Sequence, residues 1–491
     1  MFSEIFFIPE KSESSIITDG NRKVTDNVIR RFQEEKKMGK TKNNGDNRNS
    51  VVAFGPWGWF HIIYMLLMFW FYVGMINDGS NNVADSIAER MLGSADLAGT
   101  ISTCNSIAGI LGVLIFILVG VINRKIGARF TSGINCIIAG FTYIGVFNAP
   151  NLVFYTIMMA LTCGMIMSAG YLCGGVIVAN WFPKKKGIVM GYTTMGHNLA
   201  TAAFVPLILF LVGRFGVANA CYPIAVACIA LGIVGLIFVR DTPFARGYYP
   251  DNVNETIYNQ YYDTGSEEDE SEKDGGWMVG KLLKCDQTWA AAVTTGIFQI
   301  CSVGTMSQMI NRTTNGFGFS TTTAATIMSV CAVVGVAGSF LIGVLDQKIG
   351  TKRAMIVFGI WYATALVFNF TNTMVGFWVS IVMIGIGIGG SANFTTSLPT
   401  SIFGRQGYDR VNSVLFPIQG IITALTFAIN GAVMNMTGGN VRYAYAIDAC
   451  LALINVVLII VFVKDHKYNR DWLAEQEANE RSIDKPKEIA A

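Results

Sequence analysis

Charged residues are scarce in this chain. Lys, Arg, Asp and Glu make up only 14% of the 491 residues, whereas 52% are apolar. The mean hydropathy of +0.45 is too high for a water-soluble protein of this length, so the excess of apolar side chains is expected to face lipid. The formal net charge of +3 gives no reason to expect nucleic acid as a partner.

Motifs of catalysis and of metal binding are missing as well. The ten cysteines contain no C-x-x-C pair and nearly all lie in apolar runs, where Cys behaves as a small hydrophobe, so neither a disulfide nor a metal site is expected. No GxxxxGK[ST] loop is present to bind a nucleotide. The chain also has no nucleophile, carboxylate pair or metal-ligand cluster in a usable arrangement. The sequence therefore predicts no enzyme, no cofactor and no metal.

What the chain does have is long apolar runs. A membrane-spanning helix needs about 20 mostly apolar residues, and twelve such runs can be placed. They lie at 57–84, 96–122, 130–148, 152–181, 187–212, 219–239, 287–311, 321–344, 353–371, 374–400, 411–435 and 441–463. The predicted organisation is a polar tail (1–54), a six-helix half (55–239), a polar linker (240–286), a second six-helix half (287–464) and a charged tail (465–491).

One decapeptide occurs twice. GVINRKIGAR at 120–129 returns as GVLDQKIGTK at 343–352, an offset of 223 (343 minus 120). Upstream, SADLAGTI from Ser94 matches STTTAATI from Ser320 at an offset of 226 (320 minus 94), so the alignment needs one three-residue gap. Repeats of hydrophobic helices joined by short basic loops are typical of transporters whose halves rock around a central site. The chain is therefore predicted to be a duplicated membrane unit.

The basic residues predict the orientation of the spans. Cytoplasmic loops carry an excess of Lys and Arg. One set of loops holds Arg124, Lys125, Arg129, Lys184, Lys185, Lys186, Lys348, Lys352, Arg353, Arg405 and Arg410, whereas the other set holds only Arg90, Arg214, Arg312 and Arg442. Both tails and the linker are therefore expected in the cytoplasm, with the chain in the plasma membrane.

Twelve spans in two halves, with a G-x-x-x-D-R/K-x-G-R-K-like loop after the second span of each half, resemble the major facilitator superfamily. Gly120, Arg124, Gly127 and Arg129 carry the resemblance in the first copy, and Gly343, Asp346 and Gly350 carry it in the second. The family's acidic position holds Arg124 in the first copy and Gln347 in the second, with Asp346 one place early. The resemblance implies an all-α membrane protein with twelve transmembrane helices in two pseudo-symmetric six-helix halves. It also implies that this loop steadies one conformational state.

The segment Asn180 to Pro206, NWFPKKKGIVMGYTTMGHNLATAAFVP, is similar to the corresponding stretch of bacterial organic-anion transporters of the oxalate:formate antiporter and monocarboxylate type. In the oxalate transporter, basic residues in the eighth and eleventh spans hold a dicarboxylate. The corresponding runs here, 321–344 and 411–435, contain no Lys or Arg. The resemblance therefore favours a monocarboxylate-like organic anion over oxalate itself.

Two charges at span ends are candidate gating or substrate-binding residues. Asp78 ends the first span in MINDGSNN, and Arg312 ends the seventh in MINRTTNG, so the two halves carry opposite charges after the same triplet. If these ends meet, the pair could form an extracellular gate, or Arg312 could bind an anion when the gate opens. The alternative is two unrelated loop charges in water.

His197 and Asp448 are candidate proton-coupling residues, because a charge inside a bilayer is costly and needs a reason. His197 lies ten residues after Gly187, about 15 Å along a helix, and its imidazole can titrate near neutral pH. Asp448 lies seven residues into the last run. A packing histidine and a structural hydrogen bond of Asp448 are the alternatives.

Uncharged polar side chains could bind a substrate in a central cavity. Asn77, Tyr171, Asn393 and Gln419 are the main candidates, with further ones at Asn81, Asn105 and Asn430. Such a site, with one mobile cation rather than several fixed ones, suits a monocarboxylate or an amphipathic anion.

The sequence thus predicts a monomeric secondary active transporter of a small organic anion. It is expected to work by alternating access, with protons or a counter-anion as the coupled species. Two alternatives remain open. The first is efflux or uptake of amphipathic compounds such as drugs or bile-acid-like molecules, and the second is a non-transporting membrane sensor.

Overall fold

The computed structural model describes residues 54–183, 185–261, 277–404 and 408–469. These residues contain twelve helices that are long and apolar enough to cross a membrane. They are α1 (Gly55–Asn82), α2 (Ala95–Ile126), α3 (Ala128–Phe147), α4 (Leu152–Trp181), α5 (Gly191–Phe215), α6 (Val217–Phe238), α7 (Asp286–Ser307), α8 (Thr321–Ile349), α9 (Thr351–Phe370), α10 (Met374–Phe403), α11 (Arg410–Thr437) and α12 (Arg442–Phe462).

The predicted twelve-helix fold is confirmed. The largest difference in bounds is at the end of α8, predicted at 344 and found at Ile349. The predicted tails lie outside the described residues, except for Phe54 and residues 465–469, and so does the acidic part of the linker at 262–276.

Local signals set several helix ends. Asn151 precedes α4 and its side chain accepts a hydrogen bond from the N–H of Phe154, and Ser320 does the same for Thr323 before α8. The turns between α2 and α3 and between α8 and α9 pass through Gly127 (φ 88°) and Gly350 (φ 84°). These φ values favour glycine, so the repeated loop motif reverses the chain at the same place in both halves.

Three helices of the first half contain a π-helical turn. The turns are Val73–Asp78 in α1, Ser168–Cys173 in α4 and Ala200–Phe204 in α5. A π turn inserts an extra residue into the helix and is frequent at functional sites. Asn77 and Tyr171 lie within two of these turns, and His197 lies three residues before the third.

Two clusters of buried apolar residues follow the two halves of the chain. Many large apolar side chains remain on the outside, including Val375 (76% exposed), Phe340 (72%) and Val153 (71%). Because water penalises such a surface, these outer faces are expected to contact lipid.

The two halves meet at the end of the molecule opposite to the basic loops. The side chain of Asn82, at the end of α1, donates to the carbonyl oxygen of Met306 (3.3 Å) and accepts from the N–H of Ile310 (3.4 Å). Asn311, in the short helix Met309–Phe317, donates to Asp85 Oδ1 (3.4 Å) in the short helix Ala84–Leu92.

Three further hydrogen bonds between the halves lie deeper in the molecule, measured from the same end. Ser106 of α2 donates to the carbonyl oxygen of Ala424 in α11 and accepts from the N–H of Ala428 (2.6 Å). Ser329 of α8 donates to the carbonyl oxygen of Ala202 in α5 (2.7 Å). The conformation described is therefore closed at the end opposite to the basic loops.

Candidate functional site

A central cavity lies between the two halves. It holds about 780 Å³ of space not filled by atoms, including the part open to solvent. Helices from both halves contribute to its wall. The lining residues are Tyr72, Ile76, Asn77, Gly109, Val113, Cys163, Met167, Tyr171, His197, Gln299, Val303, Thr395, Phe416, Gln419, Gly420, Thr423, Ala424 and Phe427.

The described lining of this cavity contains no Asp, Glu, Lys or Arg. Its polar groups are phenols, amides, hydroxyls and one imidazole, and its apolar groups include the rings of Phe416 and Phe427. Neutral polar groups of this kind orient a ligand by hydrogen bonds, while the aromatic and aliphatic surface supplies apolar contact. His197 is the one lining residue whose side chain gains a positive charge when it takes up a proton.

His197 is held within a group of aromatic rings. Its Nε2 and the hydroxyl of Tyr171 share a hydrogen bond of 3.3 Å. The ring of Phe69 meets the imidazole edge to face at 4.9 Å between centroids, and meets Tyr171 at the same distance. Tyr171 also contacts Phe416 of the second half at 5.4 Å. The His197–Tyr171 pair therefore lies where the two halves face each other.

The position of His197 depends on the glycine before it. A Cβ at Gly196 would lie 2.3 Å from the carbonyl oxygen of Leu66 and 3.0 Å from Cβ of Phe69. Only glycine permits α5 to approach α1 this closely, because the first of these atoms belongs to the backbone and cannot turn away. The close approach brings the His197 ring against Phe69.

Of the predicted substrate-binding residues, the structure brings Asn77, Tyr171 and Gln419 to the cavity together with His197. Asn393 does not line it; its amide bonds to the side chain and carbonyl oxygen of Ser339 (3.0 and 2.8 Å), joining α10 to α8.

Two further asparagines bond within the first half. Asn105 donates to Asn81 Oδ1 (2.9 Å) and accepts from the hydroxyl of Tyr155 (2.8 Å), so its side chain joins α1, α2 and α4. These amides have partners in the helix packing rather than facing the cavity.

The two charges at the span ends are buried and are not paired with each other in this conformation. Asp78 is 3% exposed and accepts a hydrogen bond from Thr201, so it joins the π turns of α1 and α5. The ends of α1 and α7 do meet, as the gate hypothesis requires, but they do so through Asn82 and through Asp85 and Asn311.

Arg312 is 2% exposed and bonds within the second half. Its guanidinium donates to Asn369 Oδ1 (2.7 Å), to the Asn369 carbonyl oxygen (2.8 Å) and to Asn372 Oδ1 (2.9 Å), and it lies 4.4 Å from the centre of the Phe317 ring. It is not a lining residue of the cavity. In this conformation Arg312 joins the short helix after α7 to the end of α9. Because it is buried, it is not a loop charge in water.

Asp448 is 1% exposed in α12 and lies outside the cavity lining. Its backbone carbonyl oxygen accepts from Sγ of Cys301 in α7 (3.3 Å). Its Oδ2 atom has no partner among the described residues. The structure therefore does not show the structural hydrogen bond that sequence reasoning offered as the alternative to proton coupling.

In the first half, the repeated loop motif joins the start of α3 to the end of α6. The N–H of Arg129 donates to Asp241 Oδ1 (2.7 Å), and its guanidinium donates to the carbonyl oxygen of Leu236 at the end of α6. Arg124, at the family's acidic position, is exposed. Burial raises the pKa of Asp241, although the contact with Arg129 opposes this.

The second half repeats this arrangement. The N–H of Lys352 approaches Asp465 Oδ2 (3.4 Å), and its Nζ donates to the carbonyl oxygens of Ile460 (3.1 Å) and Val463 (2.7 Å) at the end of α12. A Cβ at Gly120 or at Gly343 would lie 3.9 Å from a side chain of the fourth helix of its half, Leu172 or Asn393. In both halves a basic residue thus caps the carbonyl end of the sixth helix, where a cation is favourable.

Sequence reasoning missed the acids of these two clusters. Asp241 and Asp465 end a second repeat, FVRD at 238–241 and FVKD at 462–465, with an offset of 224 (465 minus 241). This repeat was visible in the sequence, just after the last span of each half. Gln299 and Thr423 were also missed as lining residues, because nothing in their local sequence shows which face of a helix borders a cavity.

Comparisons with known proteins agree with this architecture. The sequence model of the Major Facilitator Superfamily matches residues 60–426 and 288–490. The uncharacterized MFS-type transporter YhjX of Escherichia coli K12 is 20% identical over 300 residues, which is 60% of this chain and 70% of that protein.

Solved structures show the same fold at low sequence identity. The proton:xylose symporter XylE superimposes with a TM-score of 0.63 at 14% identity, covering 86% of this chain and 99% of that one. The nucleoside transporter NupG gives 0.61 at 13% identity, covering 82% and 100%. These likenesses support the fold alone. With the family match over most of the chain, they establish that this protein is a membrane transporter of the Major Facilitator Superfamily.

Proposed function

We propose that this protein carries a small organic monoanion across the membrane together with a proton. The observation that carries the proposal is the His197–Tyr171 hydrogen bond in the wall of a cavity whose described lining has no fixed charge. The resemblance of 180–206 to monocarboxylate-type carriers is consistent with this substrate class. His197 is the proposed coupling residue, and Asn77, Tyr171 and Gln419 are proposed to orient the substrate.

The coupling follows from charge. A carboxylate entering a neutral, partly dry cavity loses hydration and gains no ion pair, so its binding is weak. A proton on His197 supplies the missing positive charge. By linkage, the bound anion raises the affinity of the imidazole for its proton by the same factor as the proton raises the affinity for the anion. Proton and monoanion then bind and leave together, and a dianion would keep one unpaired charge.

Alternating access supplies the movement. The bonds of Asn82, Ser106 and Ser329 close one end of the cavity, and their rupture would open that end while the basic ends approach each other. We assign the basic loops to the cytoplasm by the positive-inside rule, so the conformation described is the inward-facing one, in a monomer in the plasma membrane.

A second candidate is an amphipathic or neutral solute. The lining surfaces of Met167, Phe416 and Phe427 favour apolar contact, and no described lining residue requires a charged ligand. Under this alternative His197 packs against Phe69 and the transport of the solute does not depend on its protonation.

The test is uptake into proteoliposomes containing the purified full-length protein. Radiolabelled lactate, succinate and taurocholate represent a monocarboxylate, a dicarboxylate and a bile-acid-like anion, and each is offered with and without an inward proton gradient. Proton symport predicts that lactate accumulates and that a protonophore abolishes the accumulation. His197→Gln should lose accumulation and keep lactate counterflow only with a higher half-saturating lactate concentration, because the neutral side chain cannot offset the charge of the anion. His466→Gln, outside the cavity, should keep both accumulation and counterflow at the wild-type lactate affinity.

Other results select other mechanisms. Uptake only into vesicles preloaded with a second anion would indicate exchange. Accumulation of taurocholate alone would favour the amphipathic alternative. Binding of a solute without any flux would favour a sensor. Equal lactate accumulation by wild-type protein and by His197→Gln would remove His197 from the mechanism.

A further inference from the structure

The core of the second half contains a buried acid that the proposed transport cycle does not use. Asp448 is 1% exposed, and among the described residues no Lys, Arg or His nitrogen lies within 4.0 Å of its carboxylate. Its Oδ2 atom has no hydrogen-bond partner. An ionised carboxylate in this setting would have neither hydration nor compensation, and such groups take up a proton instead.

Unpartnered polar groups surround this carboxyl group. A Cβ at Gly304 of α7 would lie 2.9 Å from Asp448 Oδ2 and 3.2 Å from Cγ2 of Thr426 in α11. Asn430, one turn after Thr426, donates to the Gly304 carbonyl oxygen (3.2 Å) and to Ser307 Oγ (3.3 Å). The Thr426 hydroxyl and the Asn430 carbonyl oxygen are themselves buried without partners.

These groups can serve either protonation state after a small movement. A protonated carboxyl group needs an acceptor, such as the free Asn430 oxygen, whereas a carboxylate needs donors, such as the free Thr426 hydroxyl. Buried polar groups that lack partners in one state are candidates for a second arrangement. The cluster is therefore suited to gaining and losing a proton.

Among the described residues, no charged neighbour competes for this role. The ionisable groups that interact with Asp448 are Cys301 from α7, Tyr362 from α9 and Tyr445 from its own helix, all neutral at physiological pH. The neighbours of Gly304 on α11, Thr426 and Asn430, do not ionise. Arg312, which interacts with Tyr445, is already bonded to asparagines.

The cluster lies directly behind the cavity wall. Val303 and Phe427 line the cavity, and their chain neighbours Gly304 and Thr426 pack together in the region of Asp448. Helices α7 and α11 thus present one face to the cavity and another to the acid. A movement of α7 against α11 during the transport cycle would change both surfaces together.

We propose that Asp448 is a second proton-binding site of this transporter, protonated in the conformation closed opposite to the basic loops and released when that end opens. The site is separate from His197 and does not depend on the identity of the substrate. Helix α12 would then take part in the conformational cycle although Asp448 does not line the cavity.

Infrared spectroscopy of the purified full-length protein tests the protonation directly. The sample is kept at neutral pH in a maltoside detergent, which has no ester carbonyl, and the measured signal is the carbonyl stretching band of protonated carboxylic acids. Asp448→Asn should remove a distinct part of this band, whereas Asp96→Asn, at an exposed position, should leave it unchanged. If Asp448→Asn does not fold, Asp448→Glu should shift the same component.

A trapped variant tests the release. A Cβ at Gly99 would lie 2.3 Å from Asn435 Oδ1 and 2.7 Å from the Gly431 carbonyl oxygen of the opposite half, so Gly99→Trp cannot close this end. The Asp448 component should shrink in Gly99→Trp and stay in Gly213→Trp, whose side chain would meet open space.

Three results would overturn the proposal. The first is a carbonyl band that Asp448→Asn leaves intact. The second is an Asp448 component of equal size in Gly99→Trp and in wild-type protein. The third is loss of the Asp448 component when sodium chloride replaces choline chloride in the buffer. The last result would make the cluster a sodium site rather than a proton site. Because none of these measurements needs a substrate, they can fail while the proposed anion transport stands, and the reverse also holds.

Discussion

At the scale of single residues, the cavity is shaped by a few neutral side chains and one imidazole. His197 gains its place because Gly196 permits the contact between α5 and α1. Arg312 and Asp78, which the sequence suggested as a gate, bond within their own halves instead. A short sequence motif can show that a charge is unusual, but its partner depends on which helices pack together.

Replacing Gly196 tests how His197 is positioned. Gly196→Ala should push α5 away from Leu66 and lower the free energy of unfolding by about 1–3 kcal/mol, since overpacked contacts cost this much. Gly191→Ala, on the same helix with nothing within 4 Å of the added Cβ, should be neutral or stabilising by up to about 1 kcal/mol. Thermal unfolding in detergent measures both. Equal stability of the two variants would contradict the close approach.

Arg312 is expected to stabilise the second half. Arg312→Gln removes three charged hydrogen bonds and the contact with Phe317. It should lower the free energy of unfolding by about 3 kcal/mol or more. Arg312→Lys should recover only part of this, because an ammonium cannot reproduce the planar fork. Arg214→Gln, at an exposed position, serves as the control for thermal unfolding. A stable Arg312→Gln protein with defective transport would instead support a gating role.

At the scale of elements, each half has its own basic cluster. Arg129 and Lys352 each join the start of the third helix of their half to the end of its sixth helix. The backbone N–H of each also donates to an acid, Asp241 or Asp465. In the second half Ser401, at the end of α10, also bonds to Asp465. In this conformation the loop motif therefore bonds within its own half in both copies.

Arg129→Met should loosen the contact between α3 and α6. The Leu236 carbonyl oxygen then lacks its hydrogen-bond donor, and the free energy of unfolding should fall by about 1–2 kcal/mol. Lys125→Met, in the same loop but exposed, should have no effect. Hydrogen exchange of the α6 end measures the change locally. Identical exchange in the two variants would show that the cap does not stabilise α6.

The closed end should respond to pH through Asp85. Burial, and secondarily Asp96, raise the pKa of Asp85 to about 6. A group whose pKa is raised in the closed state holds its proton there more tightly, so closure is favoured as pH falls through about 6 and disfavoured as pH rises. Thermal stability should therefore fall more between about pH 5 and about pH 8 in wild-type protein than in Asp85→Asn. Glu89→Gln, exposed on the same short helix, should retain the wild-type slope, and equal slopes in wild-type and Asp85→Asn would contradict the assignment.

At the scale of the whole molecule, the fold could be predicted because apolar runs and the repeated loop depend on local sequence. The same information offered Asn77, Tyr171, His197 and Gln419 as candidates for a central site. It could not exclude Asn393, because the face of α10 that meets Ser339 depends on packing against α8. The hydrogen bonds between the halves could not be predicted either, because Asn82 and Ser106 meet their partners only when helices that are far apart in the sequence pack together.

Alternating access requires that the cavity open to one side of the membrane at a time. Labelling of a cysteine introduced by Thr423→Cys, in the cavity wall, measures which side that is. The exposed Cys450, the half-buried Cys285 and the lining Cys163 are replaced first, and a membrane-impermeant maleimide is added from either side of oriented vesicles.

The introduced cysteine should react from the side of the basic loops, and Gly99→Trp should make it react from the opposite side. Gly213→Trp should behave as the parent protein does. Labelling from the side opposite to the basic loops in the parent protein, or the same sidedness in all three proteins, would contradict alternating access to this cavity.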